Sequence, residues 1–312
     1  MGMPTEAFVK RLPELQQLAD IQIAQSSDQA ALLLPGAEVI LIVGHAGTWL
    51  QAHWKPVGRL KWIQTSSTGV EDMMFPALKE HPVVLTNSRG AYSSLLAEFV
   101  MLCVLYFAKA FPMMERNRRE RRWIDYPLQE ARGQTIGIVG YGETGRAVSS
   151  LARAFGMRVL ATRRNLRAGG EEVDQLIPAE HWHQLLSASD YVVNTLPLTS
   201  ETKGKFGEGE FRAMKTISCF VNVGRGRTVQ ESILVRALKE GWIAAAGLDV
   251  YETEPLPQSS ELYSLPNVIL SPHCADKTSS SAEKVAVIFL ENVRRYANGE
   301  PLRNIVNKQL GY

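Results

Sequence analysis

The 312-residue sequence is poor in cysteine and has no marked excess of charge of either sign. Its three cysteines, Cys103, Cys219 and Cys274, are widely spaced and form no CxxC pair, so neither a disulfide framework nor a zinc cluster is indicated. The net charge of +2, with acids and bases mixed along most of the chain, lacks the strong basic footprint of a nucleic-acid binder. We therefore expect a small-molecule partner, no metal site and a reducing, cytoplasmic environment.

The sequence also lacks a hydrophobic run that would span a bilayer comfortably. The longest apolar stretch, LLAEFVMLCVLYFAKAF from Leu95 to Phe111, is interrupted by Glu98 and Lys109, so we expect a buried helix. No basic segment leading into an apolar one stands at the N-terminus, and Glu6 occupies the place where a myristoylation pattern needs Ser or Thr. These features predict that no membrane is involved.

Short apolar runs that end in small or turn residues recur along the chain. Examples are EVILIVG, TIGIVGYG, DYVVNTLPL, CFVNVGRG and NVILSPH, and helix-like segments separate most of these runs. Such alternation is typical of parallel strands joined by crossover helices. With 45% apolar residues over this length, the sequence predicts an α/β protein of two domains.

A glycine-rich loop follows the predicted strand TIGIV and precedes the predicted helix RAVSSLARAF. In this context the pattern GxGxxG indicates a dinucleotide-binding turn. The first glycine permits the tight turn, the second lets the backbone approach a pyrophosphate, and the third lets helix and strand pack closely. Because a carboxylate pointing at phosphate would repel it, we expect Glu143 to turn to solvent. The predicted cofactor contacts in this loop are Gly140, Tyr141, Gly142, Glu143, Thr144 and Gly145.

The next predicted strand, MRVLATRR, ends without the acidic residue that grips the ribose hydroxyls of NAD in this kind of site. Thr162, Arg163 and Arg164 stand there instead. These residues offer a hydroxyl and two guanidinium groups to the 2′-phosphate of NADP, which an acid would repel. The sequence therefore predicts NADP as the cofactor, with NADPH preferred over NADH. The alternative interpretation is that both arginines are surface charges in a loop.

Three further motifs, FVNVGRGRTV, AAGLDVYETEPLP and VILSPHCA, follow in that order. Together with the glycine loop they resemble the D-isomer-specific 2-hydroxyacid dehydrogenase family, which includes glyoxylate and hydroxypyruvate reductases and phosphoglycerate dehydrogenase. The similarity extends from about Thr65 to Asn307. It implies two doubly wound parallel-sheet domains. These are a discontinuous flavodoxin-like substrate domain of residues 1–98 and 278–312, and a Rossmann cofactor domain of residues 99–277.

The resemblance implies a catalytic set of Arg225, Glu254 and His273. His273 is suited to donate a proton to the oxygen of a carbonyl that receives hydride, because imidazole titrates nearest neutral pH. Glu254, bonded to the other ring nitrogen, would fix the tautomer and favour the imidazolium. Arg225 suits the binding of a carboxylate and the polarisation of a carbonyl. Taken alone, the three residues have structural interpretations as a turn arginine, a loop glutamate and a histidine beside a strand end.

Other positions carry over from the family in the same way. Ser67, Thr68 and Gly69 of SSTGVED resemble a loop whose backbone N–H groups bind the substrate carboxylate, and we expect residues 45–49 to contribute a pocket wall. The family more often has glycine in place of Ser67, and PHCADKT replaces its commoner PHxGxxT. Asp249 resembles the aspartate that orients the nicotinamide amide. The remaining cofactor-lining positions are Leu196, Pro197, Thr202 and Val223.

These resemblances imply a reductase that converts small 2-oxo acids to D-2-hydroxy acids, with glyoxylate and hydroxypyruvate as the first candidate substrates. A homodimer is expected, with the apolar helix from Leu95 pairing with its symmetry mate. The alternative is a non-enzymatic dinucleotide binder, since C-terminal-binding protein corepressors share the implied fold and can keep the same triad. Formate dehydrogenases have Gln where this chain has Glu254, which disfavours that branch of the family.

Overall fold

The computed structural model describes residues 6–44, 46–54, 58–164 and 172–312. The chain divides into two compact units, a smaller one of Met1–Tyr92 with Lys277–Tyr312 and a larger one of Ser93–Asp276. The sequence placed the boundaries at 98/99 and 277/278. The first boundary lies earlier in the structure because a continuous helix begins at Ser93 and belongs to the larger unit.

The helices and strands follow one another along most of the described chain. In chain order they are α1 (Glu6–Val9), α2 (Leu12–Leu18), α3 (Ser27–Leu33), β1 (Val39–Ile42), α4 (Gly47–Ala52), β2 (Trp62–Thr65), α5 (Pro76–Glu80), β3 (Val84–Thr86), α6 (Ser93–Ala108), α7 (Phe111–Arg119), β4 (Thr135–Val139), α8 (Glu143–Ala154), β5 (Arg158–Arg163), β6 (Gln175–Pro178), α9 (His183–Ala188), β7 (Tyr191–Asn194), α10 (Glu208–Ala213), β8 (Cys219–Asn222), α11 (Glu231–Lys239), β9 (Ala245–Leu248), β10 (Val268–Leu270) and α12 (Ser281–Ala297).

The smaller unit contains a parallel sheet in the order β1-β2-β3. Successive residues of β2 point to opposite faces. Trp62 packs with Phe289 of α12, whereas Ile63 belongs to the same apolar cluster as Leu50 of α4. Helices α4 and α5, which connect the strands, therefore cover one face, and α1, α2 and α12 cover the other. The three described strands run without the reversal of order that a doubly wound sheet has.

The larger unit contains a parallel sheet in the order β10-β9-β8-β7-β4-β5-β6. The chain builds outward from β4 through β5 and β6, and then returns to β7 on the other side of β4. This reversal gives the strand order of a doubly wound dinucleotide-binding sheet. Helices α6 and α8 pack on one face and α9, α10 and α11 on the other. The predicted α/β class with parallel sheets is confirmed.

The apolar stretch that was expected to be a buried helix forms most of α6, which packs against α8, β8 and β9. A bend of 61° separates α6 from α7. Within the described ranges, no single helix has the length and hydropathy to cross a bilayer, although α6 and α7 taken together reach them.

Candidate active site

The carboxyl ends of the strands in the larger sheet carry most of the residues that the sequence analysis selected. Because the strands are parallel, these ends lie along one edge, where ligands of such sheets bind beside the reversal of strand order. Gly140 follows β4, Arg163 ends β5, Leu196 follows β7, Val223 follows β8, Asp249 follows β9 and Ser271 follows β10.

His273 and Glu254 form a hydrogen-bonded pair at this edge. Nδ1 of His273 lies 2.7 Å from Oε2 of Glu254, and each side chain is about one-third exposed. Oε1 of the same carboxylate accepts a hydrogen bond from the Tyr251 N–H at 3.0 Å. The glutamate is therefore fixed at both oxygens, and the imidazole is held through Nδ1, with Nε2 as its second nitrogen.

The pair stabilises the charged forms of both members. The hydrogen bond that His273 donates to Glu254 is the main reason that the pKa of His273 lies above its ordinary value, although burial opposes it. For Glu254, burial is the largest single influence and acts to raise the pKa. The hydrogen bonds from His273 and the Tyr251 N–H, with the charges of His273 and Arg225, outweigh burial and lower the pKa. The arrangement suits an imidazolium that donates a proton.

Asp249 is buried and holds the turn that carries His273. Its Oδ1 accepts hydrogen bonds from Ser271 Oγ at 2.7 Å, from the Cys274 N–H at 2.9 Å and from the Ala275 N–H at 3.0 Å. His273 itself adopts a left-handed backbone conformation with φ of 50°, which histidine tolerates better than most residues. The resemblance implied a nicotinamide contact for Asp249, and the structure gives its carboxylate the task of shaping this turn.

Arg225 lies in the GRG turn after β8, half-buried, with Nη1 2.8 Å from the Gly224 carbonyl oxygen. The Thr228 hydroxyl donates to the Arg225 carbonyl oxygen at 2.6 Å, and Thr228 Oγ1 also accepts from Asn194 Nδ2 at 2.7 Å. A Cβ on Gly226 would lie 1.8 Å from the Tyr251 carbonyl oxygen, so only glycine permits this close approach. The turn is therefore fixed on both sides of the arginine.

Sequence reasoning missed the buried polar network beneath this turn. Asn194 Nδ2 donates to Asn222 Oδ1 at 3.0 Å, and Asn222 Oδ1 accepts from the Gly224 N–H at 3.1 Å. Asn194, Asn222 and Thr228 are at most 1% exposed. The available signal was an asparagine at the end of each of two apolar strand patterns, VVN and FVN, whose paired register brings them side by side.

The glycine loop has the geometry of a dinucleotide-binding turn. Gly140 has φ of 99°, and a Cβ on Gly145 would lie 3.0 Å from the Gly140 carbonyl oxygen, so the strand and α8 are in close contact. A Cβ on Gly142 would meet no atom of the described residues within 4 Å. Glu143 is exposed at the first position of α8, in agreement with the prediction that it turns to solvent. Thr144 lies in the same first turn.

Two predicted cofactor contacts are buried instead. Tyr141 is 3% exposed, and its backbone N–H donates to the Thr162 carbonyl oxygen at 2.8 Å. Thr162 is also 3% exposed, because it lies two residues beyond Leu160 and points to the same packed face of the sheet. This burial does not favour the expected hydroxyl contact from Thr162 to a phosphate, which stays a prediction. Arg163 is half-buried, and Arg164 Nη2 lies 2.5 Å from Oε2 of Glu201.

The loop after β7 is closed by Thr202. Its hydroxyl donates to the Pro197 carbonyl oxygen at 2.6 Å, and it accepts from the Thr199 N–H at 2.8 Å. Leu196 lies against the glycine loop, where a Cβ on Gly140 would come within 3.2 Å of its side chain. Val223 is buried after β8. Leu196, Pro197 and Val223 thus follow the two strands next to β4.

In the smaller unit, Ser67, Thr68 and Gly69 form the loop after β2. The Ser67 N–H donates to Thr65 Oγ1 at 3.2 Å. Within the described parts of the chain, the backbone N–H groups of Thr68 and Gly69 donate to no protein acceptor. Two adjacent N–H groups of this kind match the two oxygens of a carboxylate.

The predicted pocket wall of residues 45–49 is described in part. His45 lies outside the described residues. Trp49 belongs to α4, stacks on His53 with ring centroids 4.7 Å apart, and has a buried indole Nε1 for which the described residues supply no acceptor.

The residues at this edge of the larger sheet lie in a region that matches a known protein family. Residues 101–275 match the family described as D-isomer specific 2-hydroxyacid dehydrogenase, NAD binding domain. The chain belongs to this family. The matched region of this D-2-hydroxyacid dehydrogenase contains the glycine loop, Arg225, Glu254 and His273. The protein is accordingly an oxidoreductase with a domain for a nicotinamide dinucleotide, as the sequence predicted.

Individual proteins of this family are similar to most of this chain in sequence or in structure. A glyoxylate reductase from Thermococcus gammatolerans is 35% identical over 263 residues, which cover 81% of this chain and 78% of that protein. A family member from Aeromonas salmonicida has a TM-score of 0.84 at 30% identity, covering 97% and 96% of the two chains. An NADPH-dependent glyoxylate/hydroxypyruvate reductase from Sinorhizobium meliloti, solved with NADP and sulfate, has a TM-score of 0.80 at 28% identity, covering 89% and 87%.

Proposed function

We propose that this dehydrogenase reduces small 2-oxo acids to D-2-hydroxy acids and uses NADPH in preference to NADH. Glyoxylate and hydroxypyruvate are the first candidate substrates, because relatives that cover most of the chain carry those names. The observation that carries the proposal is the 2.7 Å bond between His273 and Glu254, which orients the imidazole and favours its protonated form.

The residues of the larger unit fit an NADP cofactor, which when bound supplies the hydride for the reduction. The open position of a Cβ on Gly142 leaves room for a pyrophosphate beside the first turn of α8, whose N-terminus favours an anion. No acid stands at the end of β5, where Arg163 and Arg164 present guanidinium groups suited to a 2′-phosphate. We assign this phosphate first to Arg163, because Arg163 is the last residue of β5, and the residue that ends this strand contacts the ribose in this kind of site.

The remaining chemistry is assigned to groups of this chain itself. In the smaller unit, the N–H groups of Thr68 and Gly69 are suited to bind a carboxylate. In the larger unit, Arg225 is suited to polarise a carbonyl. Nε2 of His273 then donates its proton to the carbonyl oxygen as that oxygen becomes an alkoxide. Glu254 compensates the positive charge of the imidazolium before the transfer and keeps its tautomer fixed after it.

We also propose that the protein is a homodimer formed through α6 and the segment after α7. Leu102 on α6 is 53% exposed, Phe111 at the start of α7 is 47% exposed, and Trp123 is 97% exposed. Large apolar side chains exposed within one stretch of a chain are typical of an interaction surface. A second copy of the chain is the occupant that the family resemblance favours.

The test is turnover, followed by absorbance of the reduced cofactor, with a panel of 2-oxo acids of increasing size. Glyoxylate and hydroxypyruvate should be reduced with NADPH, and the D-hydroxy acid should be the product. A dinucleotide binder without activity would bind NADPH with no consumption of it by any member of the panel, and that outcome would replace the reductase with the corepressor-like alternative.

A further inference from the structure

The loop after β2 has its carbonyl groups turned towards the body of the smaller unit. The Ser66 carbonyl oxygen accepts from Tyr92 Oη at 2.8 Å, and the Ser67 carbonyl oxygen accepts from the Ser88 N–H at 3.0 Å. The Thr68 carbonyl oxygen accepts from Asn87 Nδ2 at 2.7 Å. Three consecutive peptide groups are therefore fixed by donors that lie outside the loop.

These bonds determine where the loop presents its own donors. A peptide group is planar and trans, so its N–H points opposite to its C=O. The bond to the Ser67 carbonyl therefore turns the Thr68 N–H away from the body of the unit, and the bond to the Thr68 carbonyl does the same for the Gly69 N–H. The hydrogen bond from Tyr92 Oη fixes the peptide group between Ser66 and Ser67, and the N–H of that peptide group donates to Thr65 Oγ1.

Hydrogen bonds also fix the side-chain amide of Asn87 in the orientation that directs Nδ2 to the Thr68 carbonyl oxygen. Its Oδ1 accepts from the Arg89 N–H at 3.2 Å, which assigns Nδ2 to the Thr68 carbonyl. Its backbone N–H donates to the Asn304 carbonyl oxygen at 3.2 Å, and its carbonyl oxygen accepts from Asn304 Nδ2 at 3.3 Å. With only 5% of Asn87 exposed, its amide supports the loop from behind and is not itself a ligand.

We propose that Asn87, assisted by Tyr92, is a positioning residue for the substrate carboxylate, because it aims the Gly69 N–H that binds one carboxylate oxygen. The inference rests on the proposed function of the loop and adds the side chains that set its geometry. The third donor that fixes a loop carbonyl, the Ser88 N–H, is a backbone group that any residue except proline retains. Asn87 and Tyr92 are therefore the residues whose side chains donate to the carbonyl groups of this loop.

The first experiment replaces Asn87 with Asp, which keeps the shape and the acceptor for Arg89 but removes the donor to Thr68. We expect KM for glyoxylate to rise by about tenfold, with kcat within about twofold of wild type, because a hydrogen bond near a charged ligand is worth about this factor. The Kd of oxalate for the NADPH-loaded enzyme should weaken equally, while the Kd of NADPH stays unchanged. Asn267→Asp is the matched control, since its amide also donates to a backbone carbonyl, that of Ala244 at 2.9 Å.

The second variant, Tyr92→Phe, removes one hydroxyl and remains informative if Asn87→Asp does not fold. We expect a KM for glyoxylate about threefold above wild type, and Tyr296→Phe, which loses a 2.7 Å bond to Glu38 in the same unit, should leave KM unchanged. A folded Asn87→Asp with wild-type KM and wild-type oxalate affinity would overturn the inference, as would a fall in kcat alone. Absence of oxo-acid turnover in the wild type would instead contradict the proposed function, and oxalate binding would still test the loop.

Discussion

Nδ1 of His273 lies 2.7 Å from Oε2 of Glu254, and this contact orients the imidazole and raises its pKa. The buried carboxylate of Asp249 accepts hydrogen bonds from two backbone N–H groups of the turn that carries His273. Because Nδ1 is engaged by the glutamate, Nε2 is the nitrogen to which we assign the proposed proton donation. The pH dependence of the reaction should therefore report on Glu254.

Replacing Glu254 with Gln should move the pH profile of oxo-acid reduction. Glu254 raises the pKa of His273, so the imidazolium required for reduction persists to higher pH in the wild type. In Glu254→Gln the pKa of His273 falls, and the alkaline limb of kcat/KM should shift to lower pH. The measurement is kcat/KM across the range where imidazole titrates. Glu252→Gln, on a neighbouring exposed carboxylate, is the control, and an unchanged limb in Glu254→Gln would exclude this role.

His273→Ala and Arg225→Ala should each lower kcat/KM by about 10²-fold or more, because each removes a group that acts on the reacting carbonyl. The Kd of NADPH should stay close to wild type in both variants, since neither group is assigned to the dinucleotide. Arg227→Ala is the matched control, because this exposed arginine lies on the same turn and its guanidinium group donates to the Glu252 carbonyl oxygen. Near-normal reduction by either catalytic variant would contradict the mechanism.

Gly142→Ala should weaken NADPH binding without loss of stability. Among the described residues, no atom lies within 4 Å of the added methyl group, so the free energy of unfolding should be unchanged. It should displace a pyrophosphate from the backbone N–H groups, at a cost of about tenfold to hundredfold in Kd, the value of hydrogen bonds to a charged group. Fluorescence titration measures the Kd of NADPH for Gly142→Ala. Gly209→Ala, on the open surface of α10, is the control and should keep the wild-type Kd. Wild-type affinity in Gly142→Ala would place the cofactor elsewhere.

The ordered motifs made much of the larger unit predictable. The GxGxxG pattern between a strand and a helix predicted the turn before α8. The alternation of strand-like and helix-like segments predicted the parallel sheets. The relation of His273 to Glu254 was also predicted, because the family resemblance supplied both residues and their roles. These features depend on local sequence and on the order of segments, both of which are visible without a structure.

Contacts that depend on strand register and facing direction were not predictable. The pairing of Asn194 with Asn222 requires knowledge of which strands are neighbours, and the burial of Thr162 depends on which face of β5 it occupies. The support of Thr68 by Asn87 joins the ends of two strands in the same way. A single sequence contains the residue types for these contacts but no record of their register.

The proposed homodimer should dissociate when a charge is placed on its apolar face. Leu102→Glu adds a carboxylate at a half-exposed position of α6, so the fold of one subunit should stay intact. If a second subunit covers this position, burial of the unpaired charge should destabilise the dimer strongly. Light scattering should give a dimer for the wild type and a monomer for Leu102→Glu at micromolar concentration. Val287→Glu, on a similarly exposed position of α12, should remain dimeric. A monomeric wild type would refute the proposed assembly.

The most direct test of the account is the ratio of kcat/KM with NADPH to kcat/KM with NADH, measured with glyoxylate at one ionic strength for the wild type and for Arg163→Asp. One well-placed arginine should give the wild type a preference for NADPH of about tenfold to hundredfold. Arg163→Asp should lose most of this preference through weaker use of NADPH, with NADH little changed. A wild type that reduces glyoxylate with neither cofactor, that uses NADH better, or whose preference survives in Arg163→Asp would contradict the account.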